Sequence, residues 1–226
     1  MPKIFEDSEP VMIRKAFLAN IIRLAFVAFI CSMIFTLSSC AKAPPRNRQD
    51  ICSIFREYPS WYWDARGVRE HWDLPISVLM AIIYQESRFQ AHAAPPREKL
   101  LWIIPWKRPT SAYGYSQAVE GTWKHYVRDT GQSHWWTSRT AFGDAADFIG
   151  WLTHRAHKIA GISMNNAYEQ YLAYHEGIGG YQRRSYLKKK WLMAVARKVQ
   201  RHARMYRSQL LRCESSLPTK PWWHLW

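Results

Sequence analysis

Glu86 ends a long aliphatic run, seven residues after Leu79 and four after Ile82. That spacing sets it on or beside the apolar face of a helix predicted over 75–89. A carboxyl pressed against aliphatic surface is disfavoured in its charged form, so its pKa rises. A proton kept near neutral pH is what a general acid needs to protonate a leaving-group oxygen. Taken alone the signal is weak, because a glutamate near a helix end is most often an ordinary solvated residue. Its neighbours decide the matter: Gln85-Glu86-Ser87-Arg88-Phe89, then Gly114-Tyr115-Ser116-Gln117, then Ala173-Tyr174-His175-Glu176-Gly177.

The elements that position these residues are mainly helical, since no alternating apolar run is long enough to demand a sheet. Tyr58-Pro59-Ser60 offers a stop and an N-cap for a helix over 61–72. Leu74-Pro75 starts the next, with proline at the first helical position. Residues 91–112 carry Pro95, Pro96, Pro105 and Pro109, so they read as a long loop of the kind that usually has a function. Helices are predicted over 119–129 and 140–159, ended by Gly131 and Gly161, and from an Asn165 or Asn166 cap to Tyr174. The final helix, 188–211, is dense in lysine and arginine. Residues 214–226 hold two prolines and three tryptophans and read as a mobile aromatic tail.

The N-terminus sets the compartment. Arg14, Lys15 and Arg23 precede an apolar run from Leu24 to Leu37, about 14 residues, against the roughly 20 needed to span a bilayer. It ends in Leu37-Ser38-Ser39-Cys40, which resembles a bacterial lipobox: Cys40 becomes lipidated and residues 1–39 are removed as a signal peptide. An uncleaved short membrane anchor is the alternative. Glu6, Asp7 and Glu9 dilute the basic start, so Met12 makes a more ordinary initiation site. Residues 40–50 read as a short tether. With Cys31 in the signal segment, Cys52 and Cys213 remain, and two thiols bracketing a domain in an oxidising compartment point to a disulfide. Closing a loop of about 160 residues stabilises by roughly 4–5 kcal/mol on the chain-entropy model. Neither cysteine has a partner at metal-ligand spacing, and no metal is expected.

The 226 residues suffice for one sizeable domain, here 51–213. A formal charge of +15 admits nucleic acid, anionic lipid or an acidic polymer as partner, and the export signal argues against nucleic acid. Thirteen tryptophans and twelve tyrosines supply flat apolar faces suited to sugar rings, or to an aromatic core.

In their order, the three strings resemble the soluble lytic transglycosylases, relatives of goose-type lysozyme, over roughly residues 70–185. The family signature is a Glu-Ser pair at a helix end, a Gly-x-x-Gln turn and an Ala-Tyr-Asn-x-Gly turn. The resemblance implies a lysozyme-like helical domain with a long Pro-rich loop, acting on peptidoglycan as a lyase with no cofactor. By position, Glu86 resembles the family's single catalytic acid/base and Ser87 its polar neighbour. Gly114 would let backbone approach the substrate, with Tyr115 in the same turn. Gln117 would hydrogen-bond the sugar or its N-acetyl group, and Tyr174, with His175, would line the cleavage subsite. A buried turn contact is the alternative for Gln117 and Tyr174.

Two departures stand out: His175 replaces the usual Asn and Glu176 a small residue. Glu176 is either a second cleft carboxylate, orienting substrate or raising the pKa of Glu86 by repulsion, or a partner for a nearby Lys or Arg. Trp102, Trp106, Trp135 and Trp136 either line a glycan groove or pack in core and loops. The alternatives to transglycosylation are hydrolysis and a non-catalytic wall-binding lipoprotein. Ala41 after the lipidated cysteine suggests an outer-membrane anchor facing the periplasm, and a monomer is expected.

Overall fold

The computed structural model describes Arg23, Phe26, residues 43–96, the backbone of 99–100 and 104–105, and residues 110–221. Cys40, expected to be lipidated, the bulk of the apolar segment before it, Trp102, Trp106 and residues 222–226 lie outside the described residues. Two compact units are resolved, Met1–Lys42 and Ala43–Trp226. In the first, Arg23 and Phe26 are helical and exposed. No helix among the described residues is long and apolar enough to cross a membrane.

The second unit is a mainly α, lysozyme-like body. Its elements in chain order are α1 (Ile51–Glu57), α2 (Pro59–Trp72), α3 (Ile76–Ser87), a two-residue antiparallel pair β1 (Lys99–Leu100) and β2 (Ile104–Pro105), α4 (Glu120–Thr130), α5 (Phe142–Ala160), α6 (Ala167–Glu176), α7 (Ile178–Gln182) and α8 (Lys190–Cys213). α3 is the central strut. Ten of its twelve residues are buried, because it is apolar on nearly every side and other helices pack around it. α8 is its opposite: Leu192, Ala196, Val199, Ala203, Tyr206 and Leu210 form one buried stripe, and the other faces carry its lysines and arginines, with Trp191 and Leu211 exposed among them.

Local chemistry explains most boundaries. Pro59 opens α2 as its first residue, with Tyr58 at the cap position, so Ser60 falls inside the helix and is not its cap. Pro75 stands one residue before α3 instead of within it. Gly131 and Gly161 end α4 and α5 in left-handed conformation, and the Asn166 side chain accepts from Glu169 N at the start of α6. The short α1 is capped by Asp50 and escaped periodicity analysis, being only seven residues long.

Both ends of the domain are tied down more firmly than their composition suggests. Cys52 and Cys213 are joined, linking α1 to the end of α8. The stretch 43–50, read as part of a tether, lies along the body: Pro45 is buried, Tyr58 Oη donates to Ala43 O, and Tyr206 Oη donates to Arg48 O. At the other end the first residues of the expected mobile tail are docked. Leu217 is buried, Trp63 Nε1 donates to Pro218 O at 2.8 Å, and Glu214 pairs with Arg69 at 2.8 Å. An apolar side chain and a salt bridge next to the disulfide hold what composition alone read as free.

Candidate active site

Glu86 lies one residue before the end of α3, where the chain makes an unusual turn. Arg88 and Phe89 both take left-handed backbone angles, φ 53° and 61°. Two consecutive non-glycine residues in that region are costly, of order 1–3 kcal/mol each, and persist only where packing over-determines them. Here Phe89 is fully buried, stacked on Trp61, and that anchor fixes the direction in which α3 ends.

A cleft of about 400 Å³ opens at this point, within the usual range for small-molecule and oligosaccharide sites. Its walls come from the loop before the second motif (Thr110, Ala112), from Gln117, from α5 (Phe148, Leu152) and from the end of α6 (Tyr174, His175). Glu86 contributes the carboxyl, and its Oε1 is wholly buried with no hydrogen-bond partner. Burial raises the Glu86 pKa from 4.5 to about 7, and hydrogen bonding with the Tyr171 hydroxyl works weakly against that shift. Tyr171 was not singled out from sequence. It lies three residues before Tyr174 on the same helical face, which is the one signal that pointed to it.

The other expected site residues fall into two groups. Gln117 and Tyr174 line the cleft. The Gln117 amide nitrogen is already committed, donating to Ala93 O at 2.8 Å and Gly114 O at 3.0 Å, so the carbonyl oxygen is what the side chain has left to offer. Tyr174 Oη donates to Ser116 O, tying α6 to the turn, while its ring stacks on Tyr171. Thus both carry the structural contact and still border the cleft. Ser87, by contrast, is buried and donates back to Ile83 O. Tyr115 is in the core, edge-on to Trp61 and Phe142. Gly114 has φ 79°, and a Cβ there would lie 2.0 Å from Arg139 O. The close backbone approach expected of Gly114 is therefore to the protein's own chain.

Glu176 pairs with a nearby cation while lining the cleft. Although it borders the cleft, its carboxylate accepts from Lys189 Nζ at 2.7 Å and from Ser185 Oγ, and Lys189 foremost holds its pKa below the ordinary value. It contributes nothing to the upward shift of Glu86, which comes from burial. His175 is exposed and meets the edge of Trp191, 5.1 Å between ring centres. Trp135 and Trp136 are exposed in the connection from α4 to α5, and neither is part of the cleft wall.

A lysozyme-like helical body thus carries one desolvated carboxyl beside a cleft of about 400 Å³. A family model for the transglycosylase SLT domain matches residues 28–213, and the chain belongs to that family. Membership indicates a lytic-transglycosylase-type function directed at peptidoglycan in the cell envelope. No curated protein and no solved structure matches the chain.

Proposed function

We propose that the protein is a lytic transglycosylase that cuts the β-1,4 bond between N-acetylmuramic acid and N-acetylglucosamine, with Glu86 as its single acid/base. The observation that carries this reading is a half-buried glutamate lining the cleft, one carboxyl oxygen buried and unpartnered, its pKa pushed up to about 7 by desolvation. Protonated Glu86 donates to the glycosidic oxygen, which leaves with its sugar. The electron deficit at the anomeric carbon is met by the substrate's own acetamido oxygen. Ionised Glu86 then takes the proton from the muramic C6 hydroxyl, whose oxygen attacks the anomeric carbon and closes a 1,6-anhydro ring. The proton returns to Glu86 and no water is consumed. Gln117, left with a free carbonyl oxygen, accepts from an acetamido N–H or a sugar hydroxyl, and Tyr174 and His175 border the cleavage subsite.

We also infer that Cys40 carries the lipid and that the catalytic body, 51–213, works at the outer membrane from the periplasmic side. The apolar wall of Phe148 and Leu152 beside the cleft favours intramolecular ring closure over attack by water.

Glu86→Gln tests the assignment. The variant keeps its fold, and release of muropeptides from purified sacculi falls by about 10²–10⁴-fold, the usual worth of a general acid. Mass spectrometry of wild-type products should show anhydro-muramic ends. Reducing ends would replace transglycosylation by hydrolysis, and an active Glu86→Gln would remove the mechanism.

A further inference from the structure

A second concavity lies outside the cleft. A pocket of about 730 Å³ opens at the other end of α6, lined by Ser163, Asn165 and Asn166 on one side and Arg197, Arg201 and Arg204 of α8 on the other. The three arginines recur at i, i+4 and i+7, so they stand on one face of α8. All three are exposed, and among the described residues none makes an ion pair. Seven of the 24 residues of α8 are lysine or arginine and none is acidic. Such an array repels itself unless an anion shares it, and arginine forks suit carboxylates in particular. Interleaved amides add donors and acceptors of the kind a peptide backbone requires.

Position names the partner. α6 and α8 run antiparallel against each other: His175 meets Trp191 at the cleft end, and Tyr168 N donates to Gln200 Oε1 at 3.0 Å beside the pocket. Their seam therefore leads from the cleft to the arginines. Ten residues of α6 span about 15 Å. A four-residue peptide, extended, spans about 13–14 Å.

We propose that the α6–α8 seam binds the stem peptide of the glycan strand held in the cleft, with Arg197, Arg201 and Arg204 taking its carboxylates. The proposal rests on the peptidoglycan reading above and narrows it: the preferred substrate is peptide-bearing glycan. A membrane surface would be met by the convex charged face of α8, not by a concavity lined with amides.

The test uses the full chain and Arg201→Gln/Arg204→Gln, two exposed changes to a good helix former that leave thermal unfolding unchanged. Two readouts are needed. In the first, a synthetic four-residue stem peptide with free carboxylates is titrated by NMR. Wild type binds it at low salt, and the double variant binds at least tenfold more weakly. In the second, glycan strands with peptides are compared with strands stripped by an amidase. The double variant raises KM about tenfold on the former, leaves kcat alone and cuts stripped strands as wild type does. Equal peptide binding by both proteins overturns the inference, as does loss confined to vesicles of anionic phospholipid. If wild type cuts neither strand, the catalytic reading has failed, and the peptide titration still decides the seam.

Discussion

At the scale of single residues, the desolvation of Glu86 ties its protonation to stability. Its pKa in the fold is about 7 against an ordinary 4.5, so between those values the folded protein holds a proton that the unfolded chain has released. Stability is then complete below pH 4.5, falls as pH rises through the window and levels off above 7. Two and a half units correspond to about 3 kcal/mol. Denaturant melts at pH 4.5 and 8 should show that loss in wild type, superimposed on any background from other groups. Glu86→Gln should lack this component and be the more stable of the two at pH 8. The same group predicts that kcat/KM declines above pH 7 along a single titration, since only the protonated acid can donate. A wild type no less stable at pH 8 than Glu86→Gln would mean that the carboxyl is solvated. Glu86 was legible because helical spacing from Leu79 and Ile82 reports burial directly. What partners do was not legible. That the Gln117 amide nitrogen is spent on Ala93 and Gly114, or that Tyr171 faces the carboxyl, depends on loops and helices meeting from distant parts of the chain.

At the scale of elements, the turn carrying the second motif shows why a family signature and a binding residue are different things. Gly114 stands in the motif because the Arg139 carbonyl occupies the space a side chain would take, and because φ 79° suits glycine. The same contact joins the turn to the segment before α5, through Tyr115 N donating to Arg139 O at 3.2 Å, and the Arg139 side chain donates to Ala118 O at 2.9 Å. Gly114→Ala must displace that segment, at a cost of roughly 2–4 kcal/mol, in the range of strain combined with overpacking. Chemical denaturation should show it, and activity should fall with the fold because Gln117 and the Ser116–Tyr174 bond move with the turn. A stable, fully active alanine variant would show that the turn is looser than its geometry. The long helices were readable from period and glycine stops. The short ones were not, since α1 and α7 have seven and five residues, too few for a periodic signal, and are held by Asp50 and by neighbouring elements.

For the whole molecule, the decisive link is the one between Cys52 and Cys213, which closes a span of 161 residues around nearly the entire helical body. The ends it joins are also held without it: Ile51 N donates to Gln209 Oε1, and Gln209 Nε2 donates to Gln49 O at 2.9 Å. These bonds order Gln49 and Ile51 against α8. Replacing both cysteines, Cys52→Ala/Cys213→Ala, removes the constraint on the unfolded chain and leaves the folded contacts in place. The chain-entropy model assigns this about 5 kcal/mol, which for a domain of this size lowers Tm by roughly 10–20 °C. The cleft is formed by α3, α5, α6 and the turn at 114–117, none of which carries a cysteine, so kcat at low temperature should be unchanged. Differential scanning calorimetry and a turnover assay on the same sample separate the two effects. A variant that melts within about 2 °C of wild type would show that the hydrogen bonds around Gln209 hold the ends together unaided, with the entropy of the open chain already small.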